Sequence, residues 1–219
     1  MADAVTTSIS VLALVVSSAT AWLTLFRRGT VKVTQPTVIY FGPDKKHWKE
    51  KRAPPKVYLR ALLFATSKRG RIVQSMHVSL TRNEARQTFN IWVHGESKLV
   101  RGSGLFVGEA GVAANHHFLA PPDGTAFAFI EGSYHLELFA QLLGDRAPKR
   151  LLSQRLDVSR DLATALTDPR AGLYFDWGPD SGRYLPHIEV LEPELDPTML
   201  MDSLRRASGQ TAQADPEGE

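Results

Sequence analysis

An all-β body carried behind one apolar helix is the fold class this sequence predicts. Three observations predict it. An unbroken apolar run extends from Ser8 to Phe26. Runs rich in Val, Ile, Phe, Tyr and Thr then recur from Thr30 to Ser159, and no helical period of useful length interrupts them. The composition agrees: 43% hydrophobic and 22% charged residues in a chain of 219 supply enough apolar material for one core.

The helix follows from length and purity. Ser8–Phe26 contains no Asp, Glu, Lys, Arg, Pro or Gly. At about 1.5 Å per residue, roughly 19 residues cover about 28 Å, close to the hydrocarbon thickness of a bilayer. Its few polar members are Ser and Thr, which can bond to the helix backbone. Arg27 and Arg28 close the run beside Trp22 and Phe26, a pairing that favours the membrane interface. The expectation is a single-pass anchor over residues 1–29, with the lipid bilayer as the partner of Ser8–Phe26. A cleaved signal peptide is the competing reading, because Ala19-Thr20-Ala21 has the small residues of a cleavage site. Against it, Met1–Thr7 has no basic side chain and the apolar stretch continues through Phe26. A buried helix of a soluble protein would show a polar face.

Orientation follows from charge. Arg27, Arg28 and Lys32 lie after the run and its N-terminal flank is near neutral, so the positive-inside rule puts the body in the cytoplasm. The expected location is a bacterial inner membrane, with the C-terminal body on the cytoplasmic side. The chain has no cysteine, which is compatible with either side.

Strands are expected at Val31–Phe41, Lys56–Thr66, Arg71–Leu80, Gln87–His94, Lys98–Val107, Val112–Leu119, Thr125–Ile130, Ser133–Leu143 and Arg150–Val158. Both faces of Lys56–Thr66 are apolar, as a central strand requires. Arg71–Leu80 alternates, with Ile72, Met76, Val78 and Leu80 opposite Ser75, His77 and Ser79. Phe127 and Phe129 end one strand, Gly132-Ser133-Tyr134 turns a corner, and Tyr134, Leu136, Leu138 and Ala140 follow at period two. This segment resembles the E–F–G end of immunoglobulin-like and fibronectin-like sandwiches, where a corner tyrosine bonds back to the backbone. The resemblance implies an immunoglobulin-like antiparallel β-sandwich over residues 30–159, without the Cys–Trp–Cys pattern of antibody domains. The order of anchor and sandwich is also similar to that of uncharacterised bacterial membrane-anchored proteins, a likeness of fold that brings no activity.

Beyond the sandwich, residues 160–190 read as a short helix (Arg160–Thr167, stopped by Asp168-Pro169) and a hairpin packed on the sandwich. Its strands are Leu173–Trp177 and Arg183–Val190, around the turn-rich Gly178–Gly182. Residues 191–219 hold seven acidic and two basic residues, so a net charge of +3 divides into a basic body and an acidic, largely disordered tail; Asp196-Pro197 opens a further helical turn within it.

Basic residues fall in two groups. Simple up-and-down chain geometry returns Lys68, Arg69, Arg71, Arg146, Lys149 and Arg150 to the pole where the helix enters, near Arg27 and Arg28, where they could meet anionic headgroups. Lys45, Lys46, Lys49, Lys51, Arg52 and Lys56, with His47 and Trp48, lie at the opposite pole. Without a nucleic-acid motif, this loop reads as solvated or as a dock for an acidic partner, and nucleic acid is not the expected ligand.

Chemistry is harder to assemble. His116 and His117 are adjacent in a strand and should point to opposite faces, one structural and one exposed; a metal would need His94, His77 or His135 from other strands. The glycines of Arg101–Gly111 suggest bulges or close strand approach rather than a phosphate cradle. Asp176, Trp177, Asp180, Arg183, Tyr184 and His187 gather on the hairpin and form the candidate partner or ligand surface, with Asp176 expected near Arg183 or Tyr184. No catalytic, cofactor-binding or metal residue is assigned. The expected function is a non-enzymatic interaction or assembly module tied to a membrane and to an unknown protein partner. The alternatives are a membrane-tethered hydrolase or metal-dependent enzyme using histidines with Asp176 and Asp180, and a periplasmic envelope or adhesion module.

Overall fold

The computed structural model describes residues 2–26, 28–44, 53–96, 98–102, 104–121 and 127–190. Arg27, the cations Lys45 to Arg52 and the tail 191–219 lie outside the described residues.

Helix α1 spans Ala2–Ala21 and continues through a π-helical turn at Trp22–Phe26. From Asp3 to Thr24 it is long and apolar enough to cross a membrane, and the other described residues bury none of that stretch. Thr7, Ser8, Ser10, Thr20 and Thr24 each donate their hydroxyl to the carbonyl four residues back, at 2.7–2.9 Å. Those bonds satisfy the polar atoms internally, as a water-free surrounding requires.

The body is mostly antiparallel sheet. Its strands are β1 (Val31–Val33), β2 (Val38–Pro43), β3 (Pro55–Ala65), β4 (Arg71–Arg82), β5 (Ala85–Phe89), β6 (Ile91–Gly95), β7 (Val100–Arg101), β8 (Leu105–Val107), β9 (Val112–Leu119), β10 (Gly132–Leu142), β11 (Lys149–Val158), β12 (Ala171–Gly178) and β13 (Arg183–Val190). Helix α2 is Arg160–Ala165, capped by the Ser159 hydroxyl. One sheet runs β13-β12-β2-β3-β9-β6-β7, with β1 also beside β3; the other runs β11-β10-β4-β5, with β8 beside β4.

Alternation builds one core from the two sheets. Val57, Leu59, Ala61 and Leu63 of β3 share it with Met76, Val78 and Leu80 of β4 and with Leu136, Leu138, Ala140 and Leu142 of β10. Strand β3 has neighbours on both sides, β9 on one and β1 with β2 on the other, so it is central in its sheet as expected, with Tyr58, Arg60, Leu62 and Phe64 on its outer face. The hairpin β12-β13 extends this sheet by pairing β12 with β2.

Four expected strands are corrected. Val31–Phe41 is two strands, β1 and β2, because Pro36 lacks an N–H; there Thr34 bridges to Leu62 through both backbone and hydroxyl. Gln87–His94 crosses between sheets at Asn90, as β5 and β6. Lys98–Val107 does the same as β7 and β8, and Gly102 lies against Trp92 so closely that a Cβ would sit 2.2 Å from the ring. In Thr125–Ile130, residues 127–130 form no strand; Phe127 and Phe129 instead pack into the core as an irregular segment.

That segment is fastened by Tyr134. Its hydroxyl donates to the Ile130 carbonyl and accepts from the Ile130 N–H, both at 2.9 Å, while the ring is buried against Phe41. Tyr134→Phe removes both bonds and leaves the ring in place. The expected loss is about 1–2 kcal/mol of stability, read as a lower urea midpoint at unchanged slope for the full chain in detergent micelles. An unshifted midpoint would mean that the corner contributes nothing.

Candidate functional site

Strand alternation divides the residues grouped on the hairpin between two faces. Trp177 and Tyr184 are directly opposed and face inward, rings 5.1 Å apart at 65°. Tyr184 donates to the Pro36 carbonyl at 2.8 Å and accepts from Gln35 at 2.9 Å, so it pins the hairpin to the β1–β2 link. Burial pushes its hydroxyl up to about 12. Asp176 and His187 lie on the outer face, where His187 Nδ1 is 3.3 Å from Asp176 and its Nε2 is 3.3 Å from Glu189. Asp176 therefore meets His187, across the diagonal, rather than Arg183 or Tyr184. Arg183 faces Gly178 at the hairpin end, and Asp180 is exposed in the turn.

The paired histidines point to opposite faces, as expected. His116 is fully buried and its Nδ1 accepts from Trp92 Nε1 at 3.2 Å, which fixes the remaining proton on Nε2. Among the described residues, Nε2 has no hydrogen-bond partner. His117 is on the outer face, its ring 4.8 Å from Tyr58. His94 stacks on Trp92, His77 on Phe139, and His135 approaches Ser153. No group of three His, Cys, Asp or Glu side chains suited to a metal ion occurs among the described residues.

The outer face of the larger sheet holds a constellation that sequence reading missed. Cross-strand register sets His187, Tyr174, Tyr40, Tyr58 and His117 in one row across five strands. Tyr174 lies 5.5 Å from His187 and 4.9 Å from Tyr40. The row's inner members, with Val38, Lys56 and Asn115, line a recess of about 310 Å³. Asn115 accepts from Tyr58 at 3.0 Å and from Arg60 at 3.3 Å, and Lys56 pairs with Asp44 at 3.0 Å. Burial raises all three tyrosine hydroxyls, Tyr174 to about 12; the Tyr58 hydroxyl is committed to Asn115, and that of the buried Tyr40 donates to the Pro43 carbonyl at 3.0 Å. Such a surface can stack on a planar or apolar group and hydrogen-bond its edge. Each tyrosine was visible in the sequence, but the register that aligns them was not.

At the helix-entry pole, the two basic loops do meet. Arg71 donates to the Gly29 carbonyl at 2.8 Å, the Leu143 carbonyl at 3.2 Å and Asp145 at 2.7 Å. Lys149 also pairs with Asp145, at 3.0 Å, and Arg150 with Glu137 at 2.8 Å. Hydrogen bonds from Arg71 and Lys149 hold the Asp145 carboxyl below its ordinary value. Three of the cations expected to reach headgroups are thus engaged within the body. Arg28, Lys68, Arg69 and Arg146 are exposed at this pole.

The buried imidazole of His116 gives a pH dependence. Burial, with smaller contributions from His94 and His117, lowers its value from 6.5 to about 4. The folded state therefore binds fewer protons than the unfolded one between those values, and stability falls as pH drops through that window. The loss is about 2–4 kcal/mol. His116→Gln should flatten this part of the pH–stability profile in chemical denaturation; an unchanged slope would assign it to other groups. No protein-family model, no curated protein and no solved structure matches the chain, so its own residues carry the functional reading.

Proposed function

We propose that this chain is a single-pass membrane protein whose immunoglobulin-like sandwich works as a non-enzymatic interaction or assembly module on the cytoplasmic face of a bacterial inner membrane. Several features support the fold part of this reading. The strand order β2-β3-β9-β6 faces β11-β10-β4-β5, which corresponds to the A-B-E-D and G-F-C-C′ orders of such sandwiches. Tyr134, at the start of the F-equivalent strand, makes the corner bonds typical of that position. The hairpin β12-β13 is an addition that covers the A-side edge.

The observation that carries the functional reading is the ring-lined recess on the outer face of the larger sheet. Tyrosine-rich, half-buried surfaces edged by a few polar groups have the composition of protein-interface cores. A bilayer anchor confines such a surface to two dimensions and raises its effective concentration for partners in the same membrane.

A photo-crosslinking residue in place of Tyr58, in the full chain within native membranes, is expected to give one discrete adduct. The same residue in place of Arg155, exposed on β11 of the other sheet, serves as the reference. Equal, diffuse labelling from both positions would count against the recess as the binding face.

A further inference from the structure

The pole of the body nearest α1 has a second property beside its charge. Ile72 is 41% exposed, Phe106 60% and Leu143 56%. Phe106 is the only Phe, Tyr or Trp of the body that is exposed among the described residues. These three side chains come from different strands but adjoin: Ile72 and Phe106 are directly opposed across β4 and β8, and the Leu143 N–H donates to the Ile72 carbonyl.

The exposure of Ile72 has a local cause. Alternation from Leu80 back through Val78 and Met76 would turn Ile72 inward. The register between β4 and β10 instead shifts at Gln141/Leu142, pairing Leu142 with Val73 directly after Gln141 with Ser75. This bulge puts Val73 in the core, fully buried, and turns Ile72 to the surface.

Arg28, Arg69, Ile72, Phe106, Leu143 and Gly144 line one recess of about 280 Å³. Lys68 and Arg146 are exposed beside it. Among the described residues, the acidic groups at the same pole are Asp145, paired with Arg71 and Lys149, and the exposed Glu109. The surface is therefore apolar at its centre and predominantly cationic around it.

Chain geometry sets what lies opposite. The helix ends at Phe26, while Gly29 is buried in the body, fixed by Arg71 and packed so that a Cβ would lie 2.6 Å from Ser67. Three residue steps reach at most about 11 Å. A bilayer holding α1 must then lie within headgroup distance of this pole.

We infer that the pole is a lipid-docking surface: Phe106, Leu143 and Ile72 enter the headgroup–acyl boundary of the bilayer that holds α1, and Arg28, Lys68, Arg69 and Arg146 contact anionic headgroups. The inference rests on the anchor reading above and adds that the body lies on the membrane rather than swinging free of it. Apolar side chains at the interfacial depth and cations at the phosphates are the two contributions that bind peripheral surfaces to anionic leaflets.

The absence of cysteine allows single labels. A polarity-sensitive fluorophore is attached at Phe106→Cys, Leu143→Cys, Leu14→Cys or Glu84→Cys in the full chain, reconstituted in phosphatidylcholine–phosphatidylglycerol vesicles containing spin-labelled lipid. The labels at 106 and 143 are expected to be quenched by shallow spin labels, the label at 14 by deep ones, and the label at 84, in the β4–β5 turn, by neither. Lys68→Gln should lower the docked-to-undocked ratio at position 106 about fivefold in these vesicles, and leave it unchanged in pure phosphatidylcholine. Quenching at 14 without quenching at 106 would overturn docking while leaving the anchor intact. No quenching at any position would overturn both. A label at 106 shielded from aqueous quencher yet untouched by lipid quencher would assign the surface to a protein and overturn the inference.

Discussion

The Arg71 guanidinium joins three parts of the chain that are far apart in sequence: the exit of the helix at Gly29, the first residue of β4, and the β10–β11 loop through Leu143 and Asp145. Its side chain is largely buried, as is that of Asp145, so the pair works with little competition from water. The consequence is geometric. A helix long and apolar enough to cross a membrane is followed within three residues by a fixed point of the body. Nothing between them is long enough to act as a free linker, so the fixed point keeps this end of the body close to the end of the helix.

The two sheets divide their labour by alternation. Inward residues of β3, β4 and β10 make the shared core, and Tyr134 closes the end of it by holding Ile130 where a strand does not continue. Outward residues of β13, β12, β2, β3 and β9 make the ring row, a surface created by register rather than by any local motif. His116 and His117 show the division within two residues: one is an uncharged core group bonded to Trp92, the other belongs to the outer row. On the body, the ring-lined recess and the cationic pole are separate places.

Much of the fold was legible in the sequence. The apolar helix is written in composition, and β3, β9, β10 and β11 are written in β-rich runs bounded by turn residues. What alternation could not show was where a strand changes sheets. Asn90 and Gly102–Gly104 interrupt runs that otherwise read as continuous, and the crossing is decided by which sheet supplies the next partner. The segment ending in Ile130 has β-like residues but bonds to a tyrosine side chain instead of a ladder. The bulge in β4 turns Ile72 outward against the apparent period. The hairpin residues were found as a cluster, yet their sides and partners depended on register, so Asp176 was matched to the wrong neighbours. The pairing of Arg71, Lys149 and Arg150 with carboxylates depended likewise on contacts between loops.

The proposed function requires that α1 spans a bilayer and that Arg28 onward lies on the cytoplasmic side. A dual reporter fused after Glu219 tests it most directly, pairing a phosphatase active only outside the cytoplasm with a fluorophore that matures only inside it. The arrangement gives a fluorescent, phosphatase-inactive fusion that stays in the membrane fraction. A phosphatase-active fusion would put the body on the outer side, and a fusion recovered from the soluble fraction would contradict the anchor itself.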